Sequence, residues 1–214
     1  MNSDRNTRIL DILKSLYPDA KPALHFANPY QLLVAVILSA QCTDVKVNMV
    51  TPALFAAYPD AAALAAADPL EVEGYIKTCG LYRNKAKNLV ETAKRLVAEH
   101  GGEVPADHQQ LTQLPGVGRK TANVVMSCAF GADAIAVDTH VFRVSNRLGL
   151  ADAGDVLKTE EQLMQSIPKA QWSHAHHWLI YHGRQVCAAR KPACDACALS
   201  GLCEYANGNP KGKK

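Results

Sequence analysis

A short turn in the second half of the chain, Pro115-Gly116-Val117-Gly118, constrains the fold more than any other segment. One proline and two glycines within four residues end a helix, and the run Arg119-Lys120-Thr121-Ala122 starts the next one. A helix that begins so abruptly leaves the N–H groups of its first turn without intrahelical partners. The segment therefore predicts two helices joined by a tight turn, with an anion site at Gly116 and Gly118 beside the amine of Lys120.

Composition is that of a globular protein. The 214 residues, 48% of them hydrophobic, can bury the core of one large domain or of two small ones. The longest apolar stretch, residues 32–38, is far too short to cross a bilayer, and the polar start at residues 1–5 differs from a signal peptide. We therefore expect a cytoplasmic protein that does not enter membranes.

The formal net charge of +3 permits an acidic partner without requiring one. Basic residues are spread along the chain, apart from a short run at Lys211, Lys213 and Lys214. Any nucleic-acid-binding surface must therefore be local.

Apolar residues recur at helical spacing, and almost nothing alternates as strands do. Capping residues, prolines and glycines mark the ends of the expected helices. We expect one helix after a cap at Ser3 or Asp4 and one from Pro29, followed by helices at residues 44–58, 60–67, 69–78, 83–100, 118–130, 138–149, 155–166 and 172–189. The sequence thus predicts an all-α fold without repeats or linkers.

The cysteines fall into two groups. Cys42, Cys79 and Cys128 are isolated beside apolar segments, which is typical of small buried hydrophobes. The other four lie close together, with gaps of six, two and five residues: Cys187, Cys194, Cys197 and Cys203. Disulfides are rare in reducing compartments, so these four thiols favour a metal centre, either zinc or iron-sulfur. A metal there would order the loop and let Arg190 and Lys191 contact phosphate.

Lys120 is the candidate nucleophile. It stands in register with Val124 and Cys128, which predicts that it continues a buried stripe at the positive end of its helix. Desolvation and the helix field both disfavour an ammonium ion, and the neutral amine is the nucleophilic form. Lysine as a residue type favours the opposite interpretation, a solvated surface charge.

Asp138 is the candidate partner of that amine. In Val137-Asp138-Thr139-His140 it precedes a helical run, which predicts an N-cap. A carboxylate at a helix N-terminus stays ionised, so it could deprotonate an amine or stabilise positive charge on a substrate. Capping and catalysis are compatible at this position.

Several segments, in this order, resemble the endonuclease III family of helix-hairpin-helix DNA glycosylases and abasic-site lyases, which remove oxidised pyrimidines. The resemblance runs from about Ile9 to Tyr205 and includes the four clustered cysteines. Its other motifs are Leu38-Ser39-Ala40-Gln41-Cys42-Thr43-Asp44, Gly80-Leu81-Tyr82, residues 114–125, residues 136–147 and His182-Gly183-Arg184. It implies two helical domains, a six-helix barrel with the hairpin at residues 22–132 and a cluster domain made from residues 1–21 and 133–214.

The resemblance also implies the chemistry of base excision repair. Lys120 matches the family nucleophile, which attacks C1′ of the damaged nucleotide, expels the base and forms a Schiff base that permits β-elimination of the 3′ phosphate. Asp138 matches the carboxylate that assists it. The amides at Gly116 and Gly118 would hold the backbone phosphates of double-stranded DNA, without reading sequence.

Gln41 and Leu81 match residues that fill the gap left when the target nucleotide is flipped out of the duplex. Such wedges offset an unstacking cost of a few kcal/mol. Two departures lie beside them. Cys79 replaces a larger aliphatic residue and Cys42 replaces a small one, so the preferred lesion and opposite base stay open.

The resemblance makes Cys187, Cys194, Cys197 and Cys203 the ligands of a 4Fe-4S cluster in the loop 187–203. The cluster would shape the loop that presents Arg190 and Lys191 to DNA. The protein would act as a monomer on duplexes that contain oxidised pyrimidines or abasic sites.

Two alternatives use the same scaffold. One is a mismatch-type or abasic-site-preferring paralogue, although mismatch thymine glycosylases and adenine glycosylases tend to lack the lysine. The other is a non-catalytic module that binds damaged DNA. The presence of both Lys120 and Asp138 argues against that module.

Overall fold

The computed structural model describes residues 3–208, so the basic run at residues 211–214 and the first two residues lie outside it. Within the described part the chain is entirely helical and contains no strand, which confirms the all-α prediction. Eleven α-helices are assigned there: α1 (Ser3–Leu16), α2 (Pro29–Ser39), α3 (Asp44–Ala57), α4 (Ala61–Ala65), α5 (Pro69–Ile76), α6 (Tyr82–His100), α7 (His108–Gln113), α8 (Arg119–Phe130), α9 (Thr139–Leu148), α10 (Val156–Ser166) and α11 (Trp172–Gln185).

Side-chain caps place most helix starts where the sequence predicts them. The side chain of Asn28 accepts a hydrogen bond from the amide of Gln31 at the start of α2, and Asp60 and Asp155 cap α4 and α10 in the same way. A left-handed glycine, Gly149, ends α9. The helix expected before the hairpin is the short α7, whose bounds apolar spacing did not predict, since its sequence is polar and has one buried residue, Leu111.

The final helix is shorter than the sequence indicates. α11 ends at Gln185 rather than continuing to residue 189. The amides of Val186 and Cys187 both bond to the carbonyl of His182, and the carbonyl of Val186 is taken by the amide of Ala193. The chain therefore folds back on itself where a longer helix would have continued.

The chain divides into two compact units. One unit, Pro22–Gly131, contains α2 to α8 around an apolar core. Its central element is α2, which is buried from Leu32 to Leu38 and packs on α8 and α6. Residues 32–38 are also the longest apolar stretch of the sequence, and a helix that is apolar on all sides is typically buried in this way. α6 also packs against α4 and α5.

The other unit combines the described residues of Met1–Lys21 with those of Ala132–Lys214. α1 and α9 both pack against α11, and α10 packs against α9. Ile9, Leu13, Val144 and Leu179 are fully buried in a second core. After α11 the chain continues in loops and short 3-10 turns that carry four cysteines.

Within the described residues, none of the helices combines the length and apolar character that a bilayer crossing requires.

Candidate active site, wedge loops and cysteine cavity

The glycine hairpin is anchored to α6 through its backbone. Gly116 has φ +76°, a left-handed conformation that favours glycine, and a Cβ there would lie 3.0 Å from the side-chain nitrogen of Asn88. The hydroxyl of Thr92 donates to the carbonyl of Pro115 at 2.8 Å. The side chain of Val117 is buried in the core. These contacts fix the hairpin while Gly116 and Gly118 stay exposed.

Gly118 is the N-cap of α8 and supplies no side-chain cap. Its carbonyl accepts from the amide of Ala122 at 3.0 Å, so the helix is regular from its first turn. First-turn amides of a helix need an external acceptor, and a glycine cap leaves them accessible to an anion. The hairpin therefore leads into a helix N-terminus that has no side-chain cap, and the anion site at Gly116 and Gly118 stays a prediction.

Lys120 lies in the first turn of α8, but its side chain is exposed, so the predicted burial of this residue is wrong. The buried face of α8 is formed by Ala122, Asn123, Val125 and Ser127. Val124 and Cys128, which share a face with Lys120, are only half-buried. The core covers the helix about one residue away from the register that the sequence suggested. The amine is thus presented to solvent beside the hairpin.

Asp138 caps α9, as predicted. Its Oδ1 accepts hydrogen bonds from the amides of His140 at 2.8 Å and Val141 at 2.7 Å. Both bonds use Oδ1, so Oδ2 takes no part in capping. The preceding residues are buried, and Nδ1 of His176 lies 2.7 Å from the carbonyl of Ala136. The carboxylate is therefore held in a fixed orientation within its unit.

Gln41 and Leu81 share an unusual backbone conformation. Among the described non-glycine residues they alone have positive φ, 52° and 58°. Left-handed conformations cost side-chain-bearing residues about 1–2 kcal/mol, and such strain concentrates at functional sites. Both side chains are exposed, with 57% of Leu81 accessible to solvent. The structure therefore presents a polar and an apolar side chain on strained backbone.

The two residues lie in neighbouring loops, residues 40–43 between α2 and α3 and residues 77–81 between α5 and α6, which we call the wedge loops. A Cβ on Gly80 would lie 3.1 Å from the carbonyl oxygen of Gln41. The wedge loops therefore touch through their backbones, so that Gln41 and Leu81 form one surface.

Cys42, Cys79 and Lys85 support the wedge loops from beneath. The thiol of Cys79 is hydrogen-bonded with that of Cys42, and burial raises its pKa to about 11, so it stays protonated. Nζ of the buried Lys85 donates to the carbonyl of Leu38, at the end of α2, over 2.8 Å. Burial lowers the pKa of Lys85, although the nearby Cys42 and Cys79 act in the opposite direction.

Of the three isolated cysteines only Cys79 is buried as predicted, whereas Cys42 and Cys128 are half-buried. Burial raises the pKa of Cys128 to about 11, which keeps the sulfur neutral near pH 7.

The four C-terminal cysteines surround one cavity. They line a space of about 320 Å³, part of it open to solvent, together with residues of α9, α11 and the loops that follow. In the described part no group of three or more His, Cys, Asp or Glu side chains forms a ready site for a single metal ion. The four cysteines that line the cavity are Cys187, Cys194, Cys197 and Cys203, and their role as ligands stays a prediction.

The chemistry of this cavity fits a thiolate-bound centre. Burial raises the pKa of the Cys197 thiol, and the neighbouring Cys203, Cys187 and Cys194 raise it further. Burial likewise raises the pKa of Cys203. Four thiolates in this space would repel one another, and a bound metal centre removes that cost by neutralising them. The donor set is the one that iron-sulfur clusters use.

Arg147 fixes the loop that follows α11. Its two terminal nitrogens donate to the carbonyls of Ala188 and Ala189 at 2.8 and 2.9 Å, and its guanidinium lies 4.6 Å from the ring centroid of Tyr205. Arg190 and Lys191 come directly after these carbonyls and are exposed. The loop therefore presents two cations to solvent.

The sequence interpretation missed four residues of these sites: Lys85, Arg147, His176 and His182. All four make polar contacts to backbone or sulfur from buried or half-buried positions. Two of them lie in sequence motifs that could have identified them. Arg147 falls in the segment 136–147 and His182 in His182-Gly183-Arg184, both of which the family resemblance singles out. Lys85 and His176 lie within amphipathic helices, where one sequence gives no reason to select them.

Comparisons with known proteins agree with this geometry. Residues 34–169 match the model of the "HhH-GPD superfamily base excision DNA repair protein". An Endonuclease III from Synechocystis sp. is 55% identical over 203 residues, which cover 94% of this chain and 93% of that protein. A solved structure of a trapped Endonuclease III-DNA covalent intermediate is 48% identical, with a TM-score of 0.92, and the match covers 97% of this chain and 98% of that one.

A thermostable thymine-DNA glycosylase has a similar structure but a more distant sequence. Its TM-score is 0.83 and its identity is 26%, with coverage of 95% of this chain and 97% of that one. The chain is thus nearer in sequence to the two Endonuclease III proteins than to this glycosylase.

Proposed function

The chain belongs to the HhH-GPD superfamily of base excision DNA repair proteins and is a DNA glycosylase of the endonuclease III type, and from this we propose its substrate and the residues that act. It removes oxidised pyrimidines of the thymine glycol class from duplex DNA and then cleaves the strand 3′ to the abasic site. It acts as a monomer in the cytoplasm. The observation that carries the proposal is an exposed lysine in the first turn of α8, directly after an anchored glycine hairpin.

Lys120 is the nucleophile in this proposal. Its neutral Nζ attacks C1′, the C1′–N bond to the base breaks, and the base leaves with the bonding electron pair. Loss of a proton and ring opening of the sugar give an imine between Nζ and C1′, which acidifies the C2′ proton. Removal of that proton expels the 3′ phosphate by β-elimination. The exposure of Lys120 gives a sugar direct access to the amine.

Asp138 is the assisting carboxylate. Its Oδ1 accepts hydrogen bonds from two amides of α9, which orients the group. Oδ2 is then left to accept a proton from the attacking amine or to stabilise positive charge on the sugar. Capping thus holds the carboxylate in one orientation, with Oδ2 as the oxygen that acts.

The hairpin and the loop after α11 hold the DNA backbone. The first-turn amides of α8 behind Gly118 and the turn at Gly116 suit phosphate oxygens. Arg190 and Lys191 add positive charge from the loop fixed by Arg147. Contacts of this kind position a duplex but do not read its sequence.

Gln41 and Leu81 fill the space vacated by the flipped nucleotide. Their support is the left-handed backbone of both residues and the contact between the wedge loops at Gly80. An apolar side chain replaces lost stacking and an amide can pair with the base left behind, which offsets an unstacking cost of a few kcal/mol.

The cavity lined by Cys187, Cys194, Cys197 and Cys203 holds a 4Fe-4S cluster in this proposal. The endonuclease III family is known for such a cluster, and the four-thiol donor set here fits one. When bound, the cluster crosslinks the loop after α11. Arg147 fixes the same loop independently, because it donates hydrogen bonds to the carbonyls of Ala188 and Ala189.

Borohydride trapping tests the proposal. We expect the wild-type protein to become covalently attached to duplex DNA that contains thymine glycol or an abasic site when borohydride is added. Lys120→Ala should give no adduct, whereas Lys94→Ala, a change at an exposed lysine on α6, should trap like wild type. Efficient trapping by Lys120→Ala, with normal binding of abasic-site DNA, would rule out the nucleophile assignment.

The substrate class is tested separately. A panel of duplexes with thymine glycol, hydroxylated cytosines, thymine mismatches and abasic sites, each with all opposite bases, should show the highest kcat/KM for oxidised pyrimidines. A preference for mismatched thymine or for abasic sites alone would replace this substrate class by one of the paralogue alternatives.

A further inference from the structure

His182 is a buried polar residue for which the proposed chemistry has no use. It lies on α11 and is 1% exposed. Its Nδ1 is 3.0 Å from the hydroxyl of Tyr17, and its Nε2 is 3.6 Å from Sγ of Cys197. Tyr17 follows α1 and is itself 8% exposed. The imidazole is therefore enclosed between a hydroxyl and a sulfur in one unit.

Ligand chemistry fixes the direction of both hydrogen bonds. A cysteine that binds iron is a thiolate and can only accept, so Nε2 of His182 must carry the proton and donate to Cys197. A neutral imidazole has one donor and one acceptor, so Nδ1 must accept. The hydroxyl of Tyr17 is then the donor. In the single arrangement that satisfies all three groups, Tyr17 donates a hydrogen bond to His182 and His182 donates one to Cys197.

We propose that His182 is a positioning residue for the iron-sulfur centre, held in one tautomer by Tyr17, and that its hydrogen bond to Cys197 raises the reduction potential of the cluster. The inference rests on the 4Fe-4S cluster of the proposed function. Donors to ligand sulfurs withdraw electron density, which stabilises the more negative, reduced form of the cluster.

A second ligand has a donor of a different kind. Nη1 of Arg147 lies 3.4 Å from Sγ of Cys187, but the same guanidinium also holds the carbonyls of Ala188 and Ala189. Removing Arg147 would disturb the whole loop. His182 contacts the centre through one bond, so substitutions there and at Tyr17 isolate the effect of a hydrogen bond.

The experiment measures the midpoint potential of the purified, cluster-loaded protein, with iron content and visible absorption as independent readouts. His182→Leu should reduce the ratio of reduced to oxidised cluster about tenfold at a fixed potential, which is about 59 mV for one electron. His182→Gln keeps an N–H donor and should restore most of the wild-type potential. Tyr17→Phe should shift the ratio in the same direction by about threefold.

Tyr181→Phe is the matched control, because the ring of Tyr181 contacts Tyr17 but its hydroxyl lies 3.4 Å from the carbonyl of Lys21. Its potential should equal that of wild type. Should His182→Leu fail to retain iron, Tyr17→Phe decides, and an unchanged potential in that variant overturns the proposal. Wild-type protein without iron would overturn the cluster itself. Intact clusters with unshifted potentials in Tyr17→Phe and His182→Leu would overturn only the role of His182.

Discussion

The carbonyl oxygen of Gln41 lies so close to Gly80 that a Cβ at residue 80 would stand 3.1 Å from it. The obstacle is backbone, which cannot rotate away as a side chain can. We therefore expect Gly80→Ala to push Gln41 and Leu81 apart by a few tenths of an ångström and to lower kcat/KM for thymine glycol duplexes about tenfold, since small misplacements are costly in positioned sites. Single-turnover excision assays measure this effect.

Gly74→Ala is the control for that substitution. Gly74 lies within α5, and a Cβ there would meet nothing within 4 Å. Alanine should stabilise the helix by about 0.5–1 kcal/mol and leave excision unchanged. Equal activity of Gly80→Ala and Gly74→Ala would show that the contact between the wedge loops does not matter for excision.

The two glycines of the hairpin should differ in their tolerance of a side chain, because a Cβ at Gly116 would be both strained and crowded by Asn88, and one at Gly118 would be neither. Gly116 has φ +76°, whereas Gly118 has φ −89° and open space at its Cβ position. Gly116→Ala should lower the free energy of unfolding by about 1–2 kcal/mol, because alanine tolerates the left-handed region poorly. Gly118→Ala should change it by less than about 0.5 kcal/mol. Urea unfolding of both variants gives the comparison, and equal losses would contradict it.

Lys85→Met tests the buried ammonium beneath the wedge loops. The carbonyl of Leu38 loses its donor, so the end of α2 and Gln41 should become less ordered and excision should fall about tenfold. The free energy of unfolding should also depend on pH differently in wild type and in Lys85→Met. Burial lowers the pKa of Lys85 in the folded state, so the unfolded chain binds its proton more tightly and wild-type stability rises as the pH approaches 10.5.

The variant lacks that contribution. The stability of wild type relative to Lys85→Met should therefore increase in urea titrations as the pH rises toward 10.5. A constant difference as the pH rises would mean that residue 85 carries the same charge in both states.

Burial of His177 should make the protein less stable in acid. Burial, assisted by His176 and His174, lowers its pKa from 6.5 to about 3. Between these two values the unfolded chain binds a proton at His177 and the folded protein does not. The free energy of unfolding is therefore highest above about pH 6.5 and falls as the pH decreases toward 3. His177→Phe should flatten the dependence between pH 7 and 5 by up to about 1 kcal/mol per pH unit.

The sequence predicted those features that local chemistry determines. Asn28 and Asp138 cap helices because a short polar side chain before an apolar periodic run has few other uses. The four clustered cysteines lie together because their spacing leaves little room for another arrangement. Such features depend on neighbours within a few residues, and one sequence is enough to identify them.

Features set by tertiary packing were missed. The predicted burial of Lys120 was wrong because tertiary packing determines which face of α8 the core covers. A shift of one residue in register is enough to expose the amine. The left-handed backbone of Gln41 and Leu81 exists only because two loops meet. α11 is shorter than predicted, and the carbonyl of Val186 accepts a hydrogen bond from the amide of Ala193 in the loop that follows. None of these causes lies within the segment it affects.

The unit with the four cysteines is assembled from two stretches of chain that the ribosome makes far apart in time. α1 packs against α11, yet the 110 residues of Pro22–Gly131 are synthesised between them, which takes roughly 5–20 s. A helix of 14 residues is marginal alone in water. The apolar stripe of α1, with Ile9 and Leu13, must therefore wait unprotected while the other unit emerges. During synthesis the chain is consequently vulnerable to chaperone capture and proteolysis at α1, until α11 has emerged.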